Sequence, residues 1–160
     1  MGLLANPGFV AMLNGREETA AGLVATEFLW WDHPEHRLVN IGDTIKLVVD
    51  HNQTTAVTLA WLQASDYSFT KDVVTLSAVT GEISGQASKE LTLTVKRSRF
   101  PDPTNEDSGN RYFRCYATGN NSPGGSGGRK GNAYSKVARV QVDRPTITDK
   151  DPIVIDGNQN

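Results

Sequence analysis

Glu106-Asp107-Ser108-Gly109-Asn110-Arg111-Tyr112-Phe113-Arg114-Cys115-Tyr116-Ala117 is the stretch around which the other strands make sense. An acidic turn runs into alternation, with Tyr112, Arg114 and Tyr116 on one side and Phe113, Cys115 and Ala117 on the other. Successive side chains of an extended strand point to opposite faces, so this pattern predicts a strand with one buried face. Phe113, Cys115 and Ala117 suit the inner side.

Working outward, the same period recurs. Gly42-Asp43 opens a run in which Ile45, Leu47 and Val49 face in while Thr44, Lys46 and Val48 face out. Leu59 and Trp61 share the inner side of the next strand, with Trp61 at the packed centre. Glu90 to Lys96 puts Leu91, Leu93 and Val95 inward and its threonines outward, and Ser135 to Val142 closes the set with Val and Ala inward. Tyr67-Ser68-Phe69-Thr70 and Val73 to Val79 read as further strands, since β-branched and aromatic residues fit a pleated surface. Leu38, Val39 and Ile41 read as a short first strand. Fifteen Gly and seven Pro in many short clusters suit an all-β chain with many turns.

The order of these features resembles the immunoglobulin-like antiparallel β-sandwich: a strand after Gly-Asp, a strand carrying a Trp, then a D-x-G…Y…C strand. The resemblance covers roughly residues 39–143. It implies a core built from Val49, Trp61, Leu93, Phe113 and Cys115. Two departures stand out. The first cysteine of the family falls on Val49, so Cys115 has no partner for a disulfide. Phe113 stands where the tyrosine of the family's corner would be, so its hydroxyl contact is lost, shifted to Tyr112, or replaced.

A chain of 160 residues accommodates one domain with something left over. The expected division is an N-terminal arm over 1–36, the sandwich over 37–144 and a C-terminal tail over 145–160. A net charge of −2 gives no electrostatic reason to expect nucleic acid or an acidic membrane as partner. The lone cysteine speaks against an oxidising compartment. Residues 1–13 lack a basic start and are broken by Asn6-Pro7-Gly8, so no signal peptide is expected there. The expected site of synthesis is therefore a reducing cytoplasm, without secretion.

The arm is apolar and rich in Trp. It either folds back over an edge of its own sandwich or docks on a neighbouring subunit. Docking is the favoured expectation, because exposed aromatics usually mark contact sites. Its anchors would be Phe9, Leu13, Phe28, Trp30 and Trp31, with Ile153 and Ile155 of the tail adding a strand to a neighbour's sheet edge.

Chemistry is harder to find. Gly124-Gly125-Ser126-Gly127-Gly128 matches a nucleophile pattern in letters alone, because no helix-forming sequence follows to build the elbow. Asp32-His33-Pro34-Glu35-His36 is the one metal-like cluster; it reads as a solvated turn, because Pro34 disfavours a helical His pair. Cys115 on an inner face would be inert. Arg97, Arg99, Arg111 and Arg114 could gather on one outer face, as solvated surface without interleaved aromatics. No catalytic, cofactor or metal residues are predicted, and no enzyme. The low-complexity segment 119–132 reads as a flexible loop at the position where antibody-like domains bind.

A small module without a disulfide and with apolar extensions resembles the immunoglobulin-like accessory proteins of tailed bacteriophages. That resemblance implies a virion structural protein made in a host cytoplasm, a capsid decoration or cement protein docking on capsid or tail subunits, with homo-oligomerisation as a further partner class. The alternative is a carbohydrate- or cell-surface-binding module that uses the end loops, including 119–132.

Overall fold

The computed structural model describes residues 26–143 apart from Ala56 and Glu106. Of the predicted anchors, Phe9, Leu13, Ile153 and Ile155 lie outside these residues. Ten strands follow in chain order: β1 Trp30–Asp32, β2 Arg37–Val39, β3 Thr44–Val48, β4 Asp50–His51, β5 Thr58–Ala64, β6 Val74–Thr75, β7 Ile83–Ser84, β8 Glu90–Thr94, β9 Asn110–Thr118 and β10 Ala138–Val142.

They form two main layers. One sheet has five strands in the order β2-β10-β9-β5-β6 and the other has three, β3-β8-β7, while β1 and β4 make a separate pair. Cys115 pairs with Trp61 in the antiparallel β9–β5 ladder, and Leu47 pairs with Leu91 in β3–β8. Strand β2 runs parallel to β10, with Arg37 opposite Val140. A central β9–β5 pair in one sheet, faced by β3-β8-β7 in the other, is the immunoglobulin-like sandwich. The protein is all-β in its described residues.

Alternation is what makes the layers stack. Inward residues of both sheets join one core that contains Trp61, Leu93, Phe113, Cys115 and Val49, each 1% exposed or less. The indole N–H of Trp61 donates to the Ser88 carbonyl at 2.8 Å, so the ring is buried without an orphaned donor. Arg99 crosses beneath them: Nε donates to Glu82 Oε2 at 2.8 Å and Nη1 to Gln63 Oε1 at 2.7 Å, tying β5 to the start of β7.

The corner at the foot of β9 is closed by an arginine. Tyr112 lies on the outer face against Tyr67, so the tyrosine contact has not shifted to it. Arg111 Nη1 donates instead to the carbonyls of Asp107 at 3.3 Å and Asn110 at 2.8 Å.

Several expected strands differ. Tyr67 to Thr70 is a turn with Phe69 at φ 55°, because the Asp66 carboxylate takes the N–H groups of Thr70 and Lys71 that a ladder would need. Of Val73 to Val79 only Val74–Thr75 pairs with β5, and Val79 instead turns back on Ile83. Asp50 and His51 form a short strand of their own and pair with β1. The body also begins before residue 37: Phe28 is 1% exposed in the common core, and Trp30 packs edge-on against it at 5.2 Å.

Candidate binding face

The two outer faces of the sandwich carry different chemistry. On the three-stranded sheet, Thr44, Lys46, Thr92 and Thr94 stand in cross-strand pairs, and Lys46 meets Glu90 at 3.2 Å with both side chains well exposed. Threonines and an exposed ion pair make an ordinary solvated face. On the five-stranded sheet, β9 presents Tyr112, Arg114 and Tyr116 outward, between the buried Phe113, Cys115 and Ala117.

Arg114 is the centre of that face. Its guanidinium carbon lies 4.3 Å from the ring centroid of Phe69 and 3.9 Å from that of Tyr134. A planar cation over an aromatic ring is attracted by the ring's quadrupole, and a second ring fixes the guanidinium plane. Its Nε is buried without a hydrogen-bond acceptor, and among the described residues no carboxylate pairs with it. Tyr116 stacks on Tyr134 at 4.7 Å, and Tyr67, 60% exposed, meets Tyr112 edge-on at 6.0 Å. Arg139 projects from β10 beside them, between buried Ala138 and Val140.

Local sequence explains how Phe69 reaches Arg114. Asp66 accepts from Thr70 N at 2.8 Å, Thr70 Oγ1 at 2.5 Å and Lys71 N at 2.8 Å, which closes the loop tightly. The Thr70 hydroxyl, followed by the backbone donors, holds the Asp66 carboxyl below its usual range. Phe69 and Asp72 both take positive φ in this loop, at 55° and 51°. A bulky residue in the left-handed region is strained, and here the strain places a ring that is buried yet outside the main core.

The other predicted residues fall elsewhere. Phe28 and Trp30, expected to anchor a neighbour, are turned onto their own body, where the Trp30 indole donates to the Asn132 carbonyl at 2.8 Å. Trp31, on the opposite side of the strand, is 64% exposed. Of the four arginines expected on one face, Arg114 alone lies there: Arg99 is held by Glu82, Arg111 closes the corner, and Arg97 sits exposed in the turn after β8. The aromatics that flank Arg114 are the buried Phe69 and the half-buried Tyr134. Sequence reasoning missed both, because one sits in a loop and the other lies between strands. The outward Tyr-Arg-Tyr triplet on β9 was the signal that could have found the face.

The segment 119–132 is stitched rather than loose. Arg129 donates from Nε to Gln53 Oε1 at 3.1 Å and from Nη2 to Asn121 Oδ1 at 2.7 Å. A Cβ at Gly131, which has φ +132°, would overlap the Phe28 carbonyl, so the glycine lets the loop close on the leading segment. His33 and His36 hold no metal set, and among the described residues no group of three or more His, Cys, Asp or Glu is placed to bind one.

No protein-family model matches the sequence, and no curated protein does. Solved structures with a similar course of chain include the tandem Ig repeats of Dlar, with a TM-score of 0.49 and 13% identity over 75% of this chain and 48% of that one. The N-terminal Ig1-2 module of the Drosophila receptor protein tyrosine phosphatase DLAR matches at 0.48 and 13%, covering 81% of this chain and 52% of its own. The D1 domain of Duf (Kirre) matches at 0.42 and 12%, covering 74% and 99%. This chain thus spans about half the length of the two Dlar structures.

Proposed function

We propose that this chain is a non-catalytic protein-binding domain that engages its partner through the outer face of the five-stranded sheet, with Arg114 receiving a carboxylate of that partner. The observation that carries the reading is the Arg114 guanidinium held against Phe69 and Tyr134 with no carboxylate partner among the described residues. Ordering a long side chain on binding costs free energy, and here that cost is already met inside the folded domain. Arg and Tyr are also the residues that dominate binding energy at interfaces, and a fixed guanidinium fork matches a carboxylate in two bonds.

A photo-crosslinking residue placed at Tyr116 is expected to capture a partner from the native source, and the same residue at Thr92 on the opposite face is not. Arg114→Ala should reduce that capture at least about tenfold, the size of a hot-spot loss. Capture at Thr92 alone, or capture at Tyr116 that Arg114→Ala leaves unchanged, would sink the proposal.

The second reading, a virion decoration protein joined by its terminal arms, is supported by the exposure of Trp31. It predicts that Trp31→Ala abolishes co-sedimentation with particles while Arg114→Ala has no effect; the opposite pattern removes it. The end-loop alternative has no comparable support, since Arg129 is engaged within the domain.

A further inference from the structure

We propose that His33 and His36 form an acid-sensitive latch that holds the leading segment of the domain on the approach to β10. Three backbone N–H groups end on imidazole nitrogens; one is Gln53 N on His51 Nδ1 at 3.2 Å, and the other two join the leading segment to the approach to β10. Lys136 N donates to His33 Nδ1 at 3.0 Å and Arg139 N to His36 Nδ1 at 2.8 Å. Each joins positions 103 residues apart, next to the parallel β2–β10 pairing. Pro34, buried between the two histidines, fixes the backbone that presents them.

An imidazole that accepts at Nδ1 carries its single proton on Nε2, so a second proton must go to Nδ1. The acceptor then becomes a donor pointing at another N–H, and the contact turns repulsive. Both rungs are therefore lost on protonation, whereas an amide or hydroxyl acceptor in the same place would be indifferent to acid.

The surrounding charges are mixed. His33 faces Lys136 across the gap, Asp32 at the end of β1 just before it, Glu35, Arg37 and Lys46 along one groove, and Glu27 along the other. His36 lies between Glu35 and Arg37 in sequence and meets the Arg139 backbone. Burial, followed by the charge of Lys136, holds His33 below its ordinary value of 6.5, against the opposing pull of Asp32. The folded state thus prefers the neutral ring. Its contribution is fully present above the unfolded value and is lost as pH falls through the lower folded value. The segment is also tied by Phe28 N to the Lys130 carbonyl, by the Trp30 indole to Asn132, by Asn52 to Glu27 and Leu29, and by the β1–β4 pair, where His51 packs on Phe28 and Trp30.

Amide hydrogen exchange on the full chain tests this. Corrected for intrinsic rates, the protection of the Lys136 amide should fall at least about tenfold between about pH 7.5 and about pH 5. The Val142 amide, bonded to the Gly109 carbonyl, should keep its protection, and the double variant His33→Asn/His36→Asn should be insensitive to acid at both. That variant also separates the latch from His51, which packs on Phe28 and Trp30 and is left in place. Flat protection in the native chain, a parallel fall at Val142, or an equal fall in the double variant would overturn the latch. Ring nitrogen NMR of the unmodified chain supplies an independent arm: both Nδ1 atoms must be bare at about pH 7.5, and a proton on either refutes the geometry.

Discussion

Cys115 stands in the strand where an immunoglobulin-like domain usually places half of a disulfide, and here it serves as a small apolar filler. Burial pushes its thiol up to about 12, which disfavours the reactive thiolate in the folded domain. Its backbone is held unusually: the N–H donates to Ser135 Oγ at 2.9 Å, and Ser135 N–H returns a bond to the Cys115 carbonyl at 2.9 Å. Ser135 is buried, and its hydroxyl is itself turned toward the Lys136 carbonyl at 2.9 Å. Ser135→Ala leaves the Cys115 amide buried without an acceptor, which should cost about 1–3 kcal/mol in a urea titration. The m-value should be unchanged, because the surface exposed on unfolding is the same. A loss below the measurement error would mean that Cys115 N finds another partner.

At the scale of elements, the loop between β5 and β6 shows how local polar chemistry can overrule strand propensity. Tyr67, Phe69 and Thr70 favour a strand, yet Asp66 captures two backbone N–H groups and a hydroxyl, and the chain turns. That turn delivers Phe69 to Arg114, so the face proposed for binding depends on a carboxylate outside it. The folded-state pKa of Asp66 lies below its ordinary 3.8, chiefly through the Thr70 hydroxyl. Its support is therefore complete above the unfolded value and disappears as pH falls through the folded one. Acidification below about pH 4 should shift the Thr70 and Lys71 amide resonances before the core unfolds. In Asp66→Asn those shifts should be absent. Acid-independent Thr70 and Lys71 resonances in the native chain would show that Asp66 does not organise the loop.

For the molecule as a whole, two layers must be held in one relative position, and no disulfide joins them. The core does most of this, with Trp61 and Phe113 from one sheet meeting Leu47, Leu91 and Leu93 from the other. Arg99, Glu82 and Gln63 add a largely shielded polar link, since the Arg99 and Glu82 side chains are only 18% and 9% exposed. Glu82→Ala strands a shielded guanidinium and should cost about 3 kcal/mol, read as a lower midpoint in chemical denaturation. A cost near that of an exposed ion pair, under about 1 kcal/mol, would mean that Arg99 relaxes into solvent. The inner faces of β3, β5, β8 and β9 were legible in the chain itself, because a strand of period two has to put one set of side chains against its neighbour. The fold class followed from the order of those strands and the single Trp among them. The proposed binding face and the proposed latch were not legible. Phe69, Arg114 and Tyr134 come from a loop, a strand and a connection, and His33 and His36 find their donors 103 residues away. Periodicity specifies which way a side chain points relative to its own strand. What it meets there is settled only when loops with no period of their own are folded into place.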